Sequence, residues 1–366
     1  MDKSTQRELI EVPEQWPIPQ IMDYLLAALR GVGPALAFGA TSQQFVDPEI
    51  AVVIPTSGST GSAKEVALSA RALLASAEAS RARIGGQSGQ RWSLLLQLNH
   101  IAGVNVLVRS LNLGTIPLDY RHSQKYATAE FTAIVPTQLH RAVHSDPALL
   151  EHLQLAEKVL VGGAAAEKDL ITAARNLGIN VVTTYGMSET CGGCVYDRVP
   201  LAGVELRTTS SGTIELKGAM IASGYLNAPE KWNEVFHDGW FTTNDLGNIE
   251  NGVLTVLGRS DDQIISGGEK ISLATVESEA HSLFPSQDFI AIAIPDAQWG
   301  QKLILVSNQA MGIERLKSQL RIKLGAHAIP KEFHRIATLP RTSIDKPDRI
   351  QLQRMINEET RQKEQE

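Results

Sequence analysis

Cysteine is scarce: Cys191 and Cys194 are the only two in 366 residues. A disulfide-stapled framework is thereby excluded, and a chain of this length buries enough apolar surface to fold without staples. Positive charge is not in excess either, with 40 Asp plus Glu against 34 Lys plus Arg and a net charge of −6. A general nucleic-acid binder needs a cationic footprint, so that class is disfavoured. No apolar run approaches the ~18 residues of a spanning helix. The segment Met1 to Glu8 has no apolar signal-peptide core behind it, so the cytoplasm is the expected compartment. Internal repeats and low-complexity tracts are absent. The hydrophobic share of 43% and charged share of 20% are ordinary for a folded protein, which sets wholesale disorder aside.

What is present is alternation. Ala51–Ile54, Ser93–Leu98, Ala133–Val135, Val159–Val161 and Asn180–Thr183 read as strands, being β-branched or apolar and flanked by Gly or Pro. Between them lie helical stretches, Ser69–Ile84 with Ser69 placed to cap it, and Ala165–Leu177. This pattern predicts layered α/β structure. After about Val199 the texture changes, and Thr213–Leu216 and Gly252–Leu257 predict a smaller β subdomain. A compact α+β unit follows, with strands Phe289–Ile294 and Leu303–Ser307 and a helix Ile313–Leu324. The expected division is a large domain of residues 1–258 and a small mobile one of residues 259–366. The polar tail from Asn357 reads as a fraying helix end.

The sharpest local signal is Thr56-Ser57-Gly58-Ser59-Thr60-Gly61-Ser62-Ala63-Lys64, directly after a predicted strand. Glycine lets backbone N–H groups approach phosphate oxygens, hydroxyls add donors, and Lys64 adds charge. It is not the Walker pattern, in which Lys directly follows the second Gly. Composition alone leaves an ordinary Ser/Gly turn open; the place between strand and helix favours phosphate.

This segment resembles the phosphate loop of the adenylate-forming superfamily, the acyl-CoA synthetases and adenylation domains. Ser59, Ala63 and Glu65 depart from the usual Thr, Pro and Gly. Further blocks follow in family order. Asn99-His100-Ile101-Ala102-Gly103 resembles the acyl-pocket segment, Pro136-Thr137 a helix start, and Gly162-Gly163-Ala164 the turn bordering adenine. Thr184-Tyr185-Gly186-Met187-Ser188-Glu189-Thr190 is the most specific match. There the resemblance places Tyr185 against adenine, a hydroxyl at the α-phosphate and Glu189 on Mg²⁺. An oxygen ligand of that kind suits Mg²⁺, which takes one or two carboxylates plus substrate phosphates.

Gly218 to Tyr225 resembles the next block. Asp245 matches the ribose-binding Asp, with Asn244 in place of Gly; Asn tolerates a left-handed turn. Arg259 matches a second ribose contact and Asp261 the domain pivot. The Gly267-Gly268 turn resembles the face that meets pantetheine. In the last block Lys346 matches the catalytic lysine and Arg349 the following arginine, with Asp345 replacing Gly.

The implied activity is two-step: a carboxylate is adenylated by ATP with Mg²⁺, then transferred to CoA. The run from Tyr185 to Asp197, His100 with Arg109, and the reduced length narrow the resemblance to the short 2-succinylbenzoate–CoA ligases of menaquinone biosynthesis. Such an acid carries a second carboxylate, for which Arg109 is the candidate, since guanidinium suits bidentate pairing. A plain helix-surface arginine is equally open. By the resemblance His100 is a catalytic candidate and, with Gly192 and Gly193, a candidate for the ring pocket. A homodimer is compatible with the resemblance. Cys191-x-x-Cys194 invites a zinc or redox reading, but zinc needs two further ligands and no second Cys pair exists. Pocket-lining thiols are the favoured reading. Two alternatives stand: an aryl-acid enzyme loading a carrier protein, and a non-catalytic nucleotide-binding homologue.

Overall fold

The computed structural model describes residues 6–56, 64–123, 125–260, 262–341 and 347–363. Ser57, Gly58, Ser59, Thr60 and Gly61 of the expected phosphate loop, the expected pivot Asp261, and Lys346 with Asp345 lie outside the described residues.

The larger compact unit comprises Met1–Thr209, Ile214–Thr243 and Ile249–Thr255. Its first sheet is mixed and runs Gly224–Tyr225, Lys64–Ser69, Ile50–Thr56, Ala35–Ala37, Arg7–Glu11, Phe45–Val46. The first five residues of Ile50–Thr56 are all buried, as a β-branched run covered on both faces should be. This strand pairs antiparallel with Lys64–Ser69. Helix Ala70–Ile84 starts at once, because Ser69 turns its hydroxyl back to accept the Ala72 N–H.

The second sheet is ordered Val199–Pro200, Gly192–Tyr196, Val181–Met187, Lys158–Val161, Phe131–Ile134, Trp92–Leu94, Leu118–Asp119. Its last five strands are mutually parallel. In such sheets ligands bind beyond the carboxyl ends of the strands. The chain leaves those ends at the segments picked out above. Leu94 leads to His100, Ile134 to Pro136 and Thr137, Val161 to the Gly162-Gly163 turn, and Val181–Met187 runs directly into Ser188-Glu189. Helices Ile101–Asn112, Pro136–His144, Pro147–Leu155 and Lys168–Asn176 supply the covering layers.

Two expected elements come out shorter. The apolar stretch Ser93–Leu98 is a strand only over Trp92–Leu94. Leu95 packs in one core cluster, and Leu96 and Leu98 in another, so burial without sheet pairing explains the apolar run. The helix expected over Ala165–Leu177 spans Lys168–Asn176. After residue 199 Glu205–Thr208 pairs with Thr213–Lys217, Phe236–His237 pairs with Trp240–Glu250, and Val253–Arg259 pairs with that last strand.

The smaller unit comprises Ser210–Thr213, Asn244–Asn248 and Val256–Glu366. Phe289–Asp296 pairs antiparallel with Gly300–Ser307, which pairs in parallel with Glu332–Arg335. Side chains of Phe289–Asp296 alternate between two cores, following the strand period of two. Phe289, Ala291 and Ala293 share one core with Val276, Ala280, Leu316 and Leu320 of helices Leu273–Leu283 and Ile313–Leu324. Ile290, Ile292 and Ile294 share the other with Leu352 and Ile356 of helix Arg349–Lys363. Among the described residues no helix is long and apolar enough to cross a membrane.

Candidate active site

The strand Val181–Met187 ends in a single 3-10 turn, Ser188–Thr190, that carries Glu189. The turn is held from within and from outside. Within it, the Thr190 hydroxyl accepts the Met187 N–H at 2.9 Å and donates to Gly192 O at 2.7 Å. From outside, Cys191 O accepts Asn105 Nδ2 at 2.7 Å and Ser76 Oγ at 3.1 Å. Asn105 comes from helix Ile101–Asn112 and Ser76 from helix Ala70–Ile84, and both are buried. Cys191 adopts a left-handed backbone, φ 49, an uncommon state for a non-glycine residue. The two donors fix its carbonyl there.

Close approach explains two glycines. A Cβ on Gly162 would lie 2.1 Å from Thr184 Oγ1, and one on Gly186 would lie 2.0 Å from Gly192 O. The Gly162-Gly163 turn thus lies directly beside Thr184, and the two expected adenine-side segments are brought together. Tyr185, Gly186 and Met187 are half-buried and Ser188 is buried.

The flanks of the phosphate loop are described. Thr56 Oγ1 donates to Lys64 O at 3.3 Å. Lys64 Nζ lies 3.3 Å from Tyr225 Oη and 4.5 Å from the Tyr225 ring centroid. Tyr225 Oη in turn donates to Glu189 Oε1 at 2.8 Å. Lys64 and Glu189, 125 positions apart, are therefore joined through one hydroxyl. Burial raises the Tyr225 hydroxyl pKa, and the Glu189 charge and hydrogen bond raise it further. It is a proton donor at any working pH. Sequence reasoning passed over Tyr225, Asn105 and Ser76; the signal for Tyr225 was its place in the Gly218–Tyr225 block.

Glu65 replaces a family glycine without adding charge on the Lys64 side. Neighbours in a strand point to opposite faces. The Glu65 carboxylate is buried, accepting Thr41 Oγ1 and Ser42 N at 2.8 Å each. Asn244 also resolves simply. It lies inside strand Trp240–Glu250 and is not among the residues with positive φ. The expected left-handed turn is absent, because strand pairing sets extended angles there. Its carbonyl accepts Ser260 N at 2.7 Å. In the smaller unit Asp245 lies 3.7 Å from Arg259 Nη1, so the two expected ribose contacts are neighbours. The Gly267-Gly268 turn closes hairpin Gln263–Ser266 with Glu269–Ser272, and Gly267 N donates to Trp299 O at 2.9 Å.

His100 stands at the amino end of helix Ile101–Asn112, half-buried. Arg109 stands in the last turn of the same helix, roughly 13 Å further along at 1.5 Å per residue. Its guanidinium is buried, 3.0 Å from Tyr196 Oη and 5.2 Å from the Trp92 ring centroid. Its partner Tyr196 packs against Gly193, where a Cβ would lie 3.2 Å from Tyr196 Cε1, while His100 stands at the other end of the helix. The two cysteines are fully buried and free. Burial pushes the Cys194 thiol up to about 12 and raises Cys191 as well, with Cys194 adding to the latter. Such thiols are poor nucleophiles and metal ligands. Cys194 also lines a cavity of about 50 Å³ with Ala75, Ser76, Ala79 and Gly193.

Among the described residues no three His, Cys, Asp or Glu side chains converge as ligands. A lone half-buried carboxylate at a strand end fits Mg²⁺, which keeps waters and takes phosphate oxygens from a nucleotide.

A layered α/β body with Thr56 and Glu189 at or just past strand carboxyl ends, and Lys64 joined to Glu189 through Tyr225, suits a nucleotide-binding enzyme class. The AMP-binding enzyme family model matches residues 8–226, and the chain belongs to that family. It is 36% identical to a probable 2-succinylbenzoate–CoA ligase of Mycobacterium tuberculosis, over 94% of this chain and 97% of the relative. It is similar to the o-succinylbenzoate CoA synthetase of Bacillus subtilis, solved with the acyl-adenylate intermediate. That match has 25% identity and a TM-score of 0.72, covering 90% of this chain and 80% of the other. The Escherichia coli counterpart, solved with a bound phenylether-linked analogue of OSB-AMS, is 25% identical with a TM-score of 0.69, covering 95% and 82%.

Proposed function

We propose that the protein is an AMP-forming acid–thiol ligase that converts 2-succinylbenzoate and CoA to 2-succinylbenzoyl-CoA, a step of menaquinone biosynthesis. One observation carries the choice of acid: the match to the mycobacterial ligase spans nearly the whole of both chains. The carrier-protein and non-catalytic readings have no comparable support.

In the first step a carboxylate oxygen of the acid attacks the α-phosphorus of ATP, and pyrophosphate leaves. Thr56, Lys64 and the intervening Ser57, Gly58, Ser59, Thr60 and Gly61 would hold the phosphates. Gly162, Gly163, Ala164, Thr184, Tyr185, Gly186 and Met187 would border the adenine, Ser188 the α-phosphate, and Asp245 with Arg259 the ribose. Glu189 would hold Mg²⁺, which when bound neutralises phosphate charge. Lys346 would stabilise the charge that develops at the α-phosphate. In the second step the CoA thiolate attacks the mixed-anhydride carbonyl and AMP leaves. We assign Gly267 and Gly268 to the pantetheine side and Asp261 to the pivot between residues 1–258 and 259–366. His100, Gly192 and Gly193 would shape the ring pocket. Arg109, one of whose N–H groups donates to Tyr196 Oη, would offer its remaining donors to the second carboxylate. ATP and CoA as substrates suit a cytoplasmic enzyme, and a homodimer belongs to the same proposal.

The test is thioester formation with ATP, Mg²⁺ and CoA, comparing 2-succinylbenzoate with benzoate, salicylate and a medium-chain fatty acid. Selective turnover of 2-succinylbenzoate is expected; turnover of another acid in preference would overturn the assignment. Lys346→Ala should slow adenylation roughly 10²–10³-fold, as loss of one pre-placed charge does, with the fold retained. An unchanged adenylation rate would remove Lys346 from the mechanism.

A further inference from the structure

We propose that Tyr225 is a positioning residue whose hydroxyl keeps Lys64 and Glu189 from pairing with each other, so that both stay available to nucleotide and metal. The inference rests on the adenylate-forming reading and goes beyond it.

The chemistry of the three groups is directional. An ammonium only donates hydrogen bonds and an ionised carboxylate only accepts; a hydroxyl does both. Tyr225 Oη donates its single proton to Glu189 Oε1 at 2.8 Å and so receives Lys64 Nζ at 3.3 Å as an acceptor. Those two bonds through one oxygen leave the ammonium and carboxylate no more than about 6 Å apart. Among the described residues neither forms an ion pair. The lysine's four-carbon stem easily spans such a gap, so an intervening group is needed to hold the charges apart.

Tyr225 cannot swing aside. It is 4% exposed, and its ring meets Trp232 edge-on with centroids 5.1 Å apart. Its backbone pairs with the strand that begins at Lys64, Gly224 opposite Ala67 and Tyr225 opposite Val66. The same segment holds Glu189 from the other side, since Ala222 N donates to Glu189 O at 2.8 Å. The hydroxyl thus enters on a backbone bonded to both of its clients.

Removing that oxygen leaves two opposite charges facing across a short gap. Their direct pair would then compete with metal and phosphate. The variant Tyr225→Phe keeps the ring and its packing, and Lys64→Met removes the competing ammonium. We would measure Mn²⁺ binding by electron paramagnetic resonance in the presence of a non-hydrolysable ATP analogue, for wild type, both single variants and the double variant. Circular dichroism melts would confirm folding. The expected result is a roughly tenfold loss of Mn²⁺ affinity for Tyr225→Phe in the wild-type background and no further loss in the Lys64→Met background, a coupling of the size found for contacting residues. Equal loss in both backgrounds means Tyr225 acts by packing alone, and overturns the inference. So does an unchanged affinity in Tyr225→Phe. A wild-type protein that binds neither the analogue nor Mn²⁺ overturns the adenylation reading, and this inference with it.

Discussion

The turn that carries Glu189 hangs on one carbonyl with two donors, and that arrangement makes a sharp energetic prediction. A carbonyl oxygen has two lone pairs. At Cys191 one meets Asn105 Nδ2 at 2.7 Å and the other Ser76 Oγ at 3.1 Å. Cys191 is 0% exposed, and the small cavity that Ser76 lines is the route by which a water would replace a lost donor. Asn105→Ala or Ser76→Ala alone removes one bond and leaves the carbonyl satisfied, a net loss of about 1 kcal/mol each. The double variant orphans a buried acceptor, which adds a desolvation cost of about 1–3 kcal/mol to the sum of the singles. At ~2–4 °C per kcal/mol for a domain of this size, each single should lower the melting temperature by a few degrees. The double should lower it by roughly 10 °C. Glu189 lies two residues before Cys191, so the double variant should also raise the KM for Mg·ATP while the singles stay near wild type. The assay is a thermal or urea melt of all four proteins, read as a double-mutant cycle. Additivity within ~0.5 kcal/mol would mean that the turn relaxes or hydrates, and the two-donor argument would fail.

Two further expectations follow from other buried carboxylates. Burial pushes Glu277 up to about 7, with Asp262 acting the same way and Arg349 and the Ala291 N–H pulling against it. Folding thus favours the neutral acid relative to an unfolded carboxyl near 4.5. That stabilisation is complete below the unfolded value and is lost as pH rises through 7, a change of roughly 3 kcal/mol over the window. Between pH 5 and 8 the wild type should lose more stability than Glu277→Gln, and parallel melting profiles would refute this. Glu65→Gly, which restores the family residue, should destabilise by about 2–3 kcal/mol through loss of two hydrogen bonds and added backbone freedom. Calorimetry should find nucleotide affinity unchanged; tighter binding with no loss of stability would show that Glu65 does face the phosphates.

Elements whose cause is local were legible. Ser69 as a helix cap, the strand of residues 51–54 and the helix Ile313–Leu324 all rest on neighbours in sequence, and each lies where expected; the strand expected to end at Thr183 instead runs on through Met187. What sequence could not carry was direction. Ser93–Leu98 was apolar for two different cores rather than for one sheet. Arg109 sits beside Tyr196 and Trp92, at the far end of its helix from His100, surroundings that its residue type alone does not give. Tyr225 is separated by 161 positions from Lys64 and by 36 from Glu189. The antiparallel pairing of its short strand with the Lys64 strand, and the Ala222 N–H bond to Glu189 O, bring the three together.

The same distinction bears on whether the departures from family pattern imply a failed enzyme. Counted in sequence, Ala63, Asn244 and Asp345 argue for decay, and Ala63 and Asp345 lie outside the described residues; Glu65 and Asn244 do not. Placed in space, each has its own structural use. Glu65 faces the opposite side of its strand from Lys64 and ties down the segment at Thr41 and Ser42. Asn244 sits in an extended strand where a glycine's left-handed freedom serves no purpose. A decaying site loses first the groups that only the reaction requires, because selection for stability does not preserve them. Lys64 and Glu189 are such groups: they are charged, partly buried and without an ion-pair partner among the described residues. Holding them so is costly to the fold, and a protein that merely kept its shape would gain by exchanging both for apolar side chains.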